Sequence, residues 1–389
     1  MRVTLVVPVV HQNLEGWISG LQEIGADVRV EAVRISAKKS RSMTETLGVT
    51  VHKLAESRWS RRLRHRVGGR DKGRRRFFAD HEMLAERLAD TDLVIARTYS
   101  VPLLFSIRRA IRGRTTRFLV YEQYDPRAPS TWWRHRRDRR RSLAALYGTT
   151  RLRLLGRMLA HGVISPVVQT PLEQALDVPS VVPFAVPKAQ KTGPHDARAA
   201  TSSLGTAATR FLMVARFERR KRHDLAIEAL ATLKSEGHLA RLTIVGQAYG
   251  PREEAFRREL LADIERSTVT NEVEVETNLD RSAVAERYAM SDVFILPSDR
   301  EPASIAVVEA AAWGLPVVVP RTCGTACYVL DGVTGLHVDE GSSSELAGAL
   351  RRLIVDPDLR RSMAAGALAH VGPLSDPRTV AHRLLAAGS

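Results

Sequence analysis

The sequence is poor in cysteine and in long uncharged apolar runs, and each scarcity narrows what the protein can be. Two cysteines, Cys323 and Cys327, among 389 residues make neither a disulfide framework nor a four-cysteine zinc site. So few thiols suit a reducing compartment. The most apolar stretch, residues 303–320, carries Glu309 in its middle, which argues against a membrane-spanning helix. The opening apolar run, residues 3–10, is short, is broken by Pro8 and has only Arg2 before it, so it does not read as a signal peptide. A cytoplasmic protein is expected. The twelve histidines show no H-x3-H or H-E-x-x-H spacing, and no protein-held metal or other cofactor is expected. Walker A, G-x-G-x-x-G and G-x-S-x-G motifs are absent as well.

What is present begins with charge. The formal total is +16. Residues 1–190 hold 35 Lys and Arg against 17 Asp and Glu, whereas residues 191–389 hold 24 against 26. The excess therefore lies wholly in the first half, as expected of two domains with different partners. Between the halves, residues 188–209 (KAQKTGPHDARAATSSLGTAAT) contain almost no large apolar side chain, a linker composition.

Each half alternates short apolar runs with longer helical patterns. Strands are expected at 3–10, 27–33, 93–96, 117–121, 162–164 and 181–183, then at 211–215, 241–245, 272–276, 293–297, 316–319 and 336–338. Helical patterns include 224–236, 253–265 and 281–290. The strand runs are mostly continuous rather than alternating, as in parallel sheets covered on both faces. The expected fold class is α/β, with two Rossmann-like doubly wound domains facing across a cleft and ligands at the carboxyl ends of the strands.

Two constellations could carry chemistry. In EPASIAVVEAAAWGLP, residues 301–316, a helix is expected from Pro302 to about Trp313, capped by Ser304 or the preceding backbone. Its amino terminus could receive phosphate. Glu301 and Glu309 are eight residues apart, which puts both on one side, able to accept from sugar and ribose hydroxyls. Taken alone, the pair reads rather as one carboxylate on the helix dipole and one in solvent. In FLMVARFERRKRHDLAIEA, residues 211–229, Arg216 leaves a strand end and Lys221 follows before a helix. Two such cations can clamp a diphosphate; a solvated basic loop is the alternative. Gly246 in IVGQAYGP marks another strand end and suits an ordinary turn.

The order of these motifs resembles the donor domain of glycosyltransferase family 4, which has the GT-B fold. The matching pieces are ARFERRKRHDLAIEAL, TIVGQAYGP, ERYAMSDVFILPSDREPASIAVVEAAAWGLPVVVP and YVLDGVTGLHV. The resemblance is close over residues 210–355 and weaker over HGVISPVVQTPLEQALDVPSVVPFAVP. It implies an acceptor-binding domain at 1–187, a linker at 188–209, a nucleotide-sugar domain at 210–371 and a tail, 372–389, crossing back to the first domain. It also implies a metal-independent, retaining hexosyl transfer from a nucleotide-sugar, expected to be UDP-linked. Arg216 and Lys221 would hold the diphosphate. Glu301, with amides near Ala303, Ser304 and Ile305, would hold the sugar, and Glu309 the ribose, with Gly246 beside the donor. No residue is placed as a covalent nucleophile, so a same-face displacement is expected.

The first half departs from that family. Its first loop, His11 to Gly16, has one glycine, and YEQYDP stands where many members have a histidine. Candidates on the acceptor side are His11, Arg97, Glu122, Gln123 and Asp125. Segments 58–76 and 131–141 mix arginine with large aromatics. They suit an anionic membrane surface, and hence a peripheral protein at the inner face, or an anionic acceptor; a solvated arginine-rich face suits them equally. The acceptor expected is a glycan, a lipid-linked sugar or a small molecule. Nucleic acid is disfavoured, because no nucleic-acid motif accompanies the charge. A non-catalytic nucleotide-binding relative, an arginine-driven binder and, more weakly, a sugar epimerase are the alternative functions.

Overall fold

The computed structural model describes residues 1–9, 14–34, 45, 47–58, 78–97, 101–121, 159–165, 180–186, 208–301 and 303–387. The chain divides into unit 1, Met1–Pro187 with Asp376–Ser389, and unit 2, Lys188–Ser375.

Unit 1 carries a seven-stranded sheet of β1 (Arg2–Val9), β2 (Asp27–Arg34), β3 (Val51–Lys53), β4 (Leu93–Ala96), β5 (Arg117–Tyr121), β6 (Gly162–Ser165) and β7 (Ser180–Val181). Its order is β3-β2-β1-β4-β5-β6-β7, and each adjacent pair is parallel. Side chains alternate across a strand, and here both faces are covered. Val3, Leu5, Val7, Leu93 and Ile95 join one core layer, while Val6, Val94, Ala96, Phe118 and Val120 join the other. That double burial is why the strands read as unbroken apolar runs.

The chain returns to this unit at its far end. Helix Pro377–Ala386 puts Val380, Ala381 and Leu384 into the layer that holds Trp17, Ile18 and Leu21 of helix Glu15–Glu23. The two helices approach closely at Gly20, where an added Cβ would lie 2.0 Å from the Pro377 carbonyl oxygen. Arg117 donates to the Leu385 carbonyl at 2.6 Å.

Unit 2 repeats the plan with β8 (Thr209–Val214), β9 (Ala240–Gly246), β10 (Val273–Thr277), β11 (Val293–Ile295), β12 (Val317–Pro320) and β13 (Gly335–Val338). The order is β10-β9-β8-β11-β12-β13, again parallel throughout. Helix His223–Ser235 follows β8, Pro251–Arg266 follows β9, Arg281–Met290 follows β10 and Ile305–Ala312 follows β11. Local signals start them. Pro251 opens one helix, and Asp280 caps another by accepting from the Ala283 N–H at 2.9 Å.

Some boundaries differ from the sequence reading. Thr209, assigned there to the linker, opens β8. The run at 293–297 stops as a strand at Ile295. β3 carries no strand signal because Val51–Lys53 is three residues long and two of them, His52 and Lys53, are polar. The chain leaves unit 2 after Ser375 rather than at about 372.

Candidate functional site

In unit 2 the connections from β8 and β11 leave in opposite directions along the sheet, since β9 lies on one side and β12 on the other. Ligands of doubly wound sheets bind beyond the carboxyl ends of the strands at such a switch point. The two loops there carry Arg216 to Lys221 and Leu296 to Ser304.

The first loop is anchored by Phe217, which is fully buried. Its ring lies over Gly246 at the end of β9, where an added Cβ would sit 2.5 Å from Phe217 Cζ. Gly246 thus makes room for the anchor of this loop. His223 stacks on Phe217 with centroids 5.8 Å apart and lies 5.5 Å from the Phe256 ring. A single 3-10 turn, Arg219–Lys221, then brings Lys221 inward, where it is 6% exposed. Arg222 follows in the left-handed region, φ 53°, held by Asp224 at 2.8 Å and Asp299 at 3.2 Å.

The second loop turns at Arg300, φ 47°, whose N–H donates to Glu340 at 3.2 Å. Glu301 is 4% exposed. Its Oε2 accepts from Lys221 Nζ and from Arg220 at 2.7 Å. Burial pushes the Glu301 carboxyl up, but the two cations outweigh it and hold the group below its ordinary value. Burial pulls Lys221 down, against Glu301. Two buried charges thus satisfy each other through Oε2, and among the described residues Glu301 Oε1 has no donor. The sequence reading brought Lys221 and Glu301 to one site without pairing them, and it missed Arg220.

Arg216 stands apart from this pair. It is half-exposed and bridges Glu218 at 2.9 Å and Glu253 at 3.0 Å. To grip a diphosphate it would exchange carboxylates for phosphate oxygens. Ser304 precedes helix Ile305–Ala312 but its side chain makes no cap bond. Instead its N–H points to Thr325 Oγ1 at 3.4 Å. Ala303 and Ile305 are half-buried beside it, and Pro302 lies outside the described residues.

Glu309 lies half-buried on that helix and is not in the solvated state its spacing also allowed. The Tyr288 hydroxyl donates to Glu309 Oε2 at 3.1 Å. Burial raises the carboxyl, opposed by Arg281 and Tyr288. Neither partner was singled out from the sequence. The signal was there: Arg281 and Tyr288 are seven residues apart on helix Arg281–Met290, which puts them on one face.

In unit 1, Arg97 follows β4, beside the corresponding switch point, with its guanidinium 5.6 Å from the Tyr121 ring centroid. His11, Glu122, Gln123 and Asp125 lie outside the described residues. So do segments 58–76 and 131–141, apart from Arg58, which is exposed.

Two doubly wound units in one chain make this a GT-B fold. Comparison with solved structures gives the same class. Anabaena Alr3699/HepE, solved in complex with UDP, superposes with a TM-score of 0.74 over 99% of both chains at 19% identity. WaaG, a glycosyltransferase involved in lipopolysaccharide biosynthesis, does so with 0.64 over 98% of both at 18%. Residues 201–369, most of unit 2, match the family model of the glycosyl transferases group 1. The D-inositol 3-phosphate glycosyltransferase of Nocardiopsis dassonvillei is 33% identical over 172 residues, 43% of this chain and 40% of its own length. That of Actinosynnema mirum is 32% identical over 201 residues, 50% of this chain and 48% of its own length. The chain spans less than half the length of these curated relatives in the matched region.

Proposed function

We propose that the protein is a retaining, metal-independent glycosyltransferase of family 4 that takes a hexose from a UDP-sugar bound by unit 2. The observation that carries this reading is the Lys221–Glu301–Arg220 cluster at the switch point of unit 2. A relative of the same fold was solved with UDP and with UDP-glucose, which supports the choice of donor.

In this reading Lys221 and Arg216 neutralise the diphosphate, aided by the amino terminus of helix Ile305–Ala312. Glu301 Oε1 accepts from a hydroxyl of the donor sugar, and Glu309 accepts from the ribose. The bond between the anomeric carbon and the phosphate oxygen breaks. The acceptor oxygen bonds to that carbon on the face being vacated, and its proton passes to the departing phosphate. Lys221 is already fixed in the site, and Arg216 joins it by exchanging Glu218 and Glu253 for phosphate oxygens, so that positive charge stabilises the leaving group. The acceptor is assigned to unit 1. An anionic or lipid-linked acceptor, at an acidic membrane face, suits the basic excess of residues 1–190.

The test is thermal shift and calorimetry with UDP, GDP and ADP, followed by turnover of the matching sugars. UDP is expected to bind, and Glu309→Ala to weaken it at least about tenfold, the worth of a charged hydrogen bond. Lys221→Ala is expected to cut turnover by about a hundredfold or more. A protein that binds none of these nucleotides is not the enzyme proposed.

A further inference from the structure

Glu309 is held from one side by the hydroxyl of Tyr288. Tyr288 is fully buried, and its ring is fixed by neighbours: Trp313 stacks at 6.5 Å with an interplanar angle of 15°, and Phe294 lies at 6.1 Å. Its hydroxyl reaches Glu309 Oε2 across 21 residues of sequence. A carboxylate on a helix otherwise turns about its terminal torsions, which are broad for Glu. A hydroxyl on a packed ring has almost no such freedom, so the bond fixes the plane of the carboxylate. In the donor reading, Oε2 is held by Tyr288 and Oε1 is the oxygen that would accept from the ribose. Burial raises the Glu309 carboxyl above its ordinary value, and Arg281, on the same helix as Tyr288, opposes that push with its positive charge.

We infer that Tyr288 is a positioning residue that aims Glu309 at the ribose and so sets the preference for ribonucleotides over deoxyribonucleotides. The inference rests on the donor reading above. A diol needs an acceptor at a set place and angle; a freely turning carboxylate would still bind it, but with less discrimination against a ribose lacking one hydroxyl.

The experiment is calorimetry on the full chain with whichever of UDP, GDP and ADP binds wild type most tightly, and with its 2′-deoxy and 3′-deoxy forms. The variants are Tyr288→Phe, Glu309→Gln and the double variant. Phe keeps the packed ring and removes only the hydroxyl. Wild type should prefer the ribonucleotide by about tenfold or more over at least one deoxy form. Tyr288→Phe should lower ribonucleotide affinity about five- to tenfold, leave the deoxy affinity nearly unchanged and so shrink the ratio. In the Glu309→Gln background, removing the hydroxyl should add less than twofold, because Tyr288 acts through Glu309. With the sugar donor, the donor KM should rise while kcat stays within twofold. A wild-type ratio in Tyr288→Phe, or a full additional loss in the double variant, overturns the inference even if affinity falls. If wild type binds none of the three nucleotides, the donor reading itself fails and this inference falls with it.

Discussion

Lys221 and Glu301 show how strongly one residue depends on another in a dry site. Removing the Glu301 carboxylate leaves a buried ammonium with no counter-charge. Glu301→Ala should therefore cost about 3 kcal/mol by urea unfolding, as well as activity. The loss should be smaller for Glu301→Gln, which still accepts from Lys221. His223 makes a separate prediction. It is fully buried, both ring nitrogens lack a hydrogen-bond partner among the described residues, and burial pulls its pKa down to about 4. The unfolded chain binds this proton near pH 6.5, the folded chain only near 4. The contribution is intact above pH 6.5 and falls as pH drops toward 4, by about 3 kcal/mol in all. His223→Phe should flatten that part of the stability–pH curve, measured by denaturant midpoints from pH 7 to 4. Lys221 and Glu301 were both singled out from the motif order, and the structure brings the two together. Arg220 was not, since which of several loop arginines reaches Glu301 depends on a contact 81 residues away; Arg281 and Tyr288 share a helix face, but that this face meets Glu309 is a fact of packing.

At the scale of elements, the end of β9 and the loop after β8 behave as one part. Gly246 has room for no side chain beneath Phe217, and Phe217 is itself wedged against His223. Gly246→Ala should destabilise unit 2 by about 1–3 kcal/mol and shift the loop that carries Arg216 and Lys221. A fall in nucleotide affinity larger than the fall in Tm accounts for would be the mark of the second effect. Long apolar runs such as β1, β4 and β5 were readable because burial on both faces leaves no polar position to confuse the period. Short elements with one wet face, such as β3, carry no such signal. Gly246 reads in sequence as a turn glycine; that a phenylalanine ring excludes its Cβ is a fact of packing alone.

At the scale of the whole molecule, helix Pro377–Ala386 belongs to the core of the first unit although it follows the second in sequence. Cutting the chain after Ser375 should expose the apolar face of helix Glu15–Glu23, lower the melting temperature of unit 1 and leave that of unit 2 nearly unchanged. Calorimetry that resolves the two transitions checks this; an equal drop in both, or none, would show that the helix does not belong energetically to unit 1. The same return has a consequence for biosynthesis. Unit 1 leaves the ribosome with part of its core missing, and the missing helix emerges only after all of unit 2 has been made. At about 5–20 residues per second the delay is roughly 10–40 s. During that interval the nascent unit 1 presents an uncovered apolar stripe around Trp17, Ile18 and Leu21, a natural landing place for a chaperone.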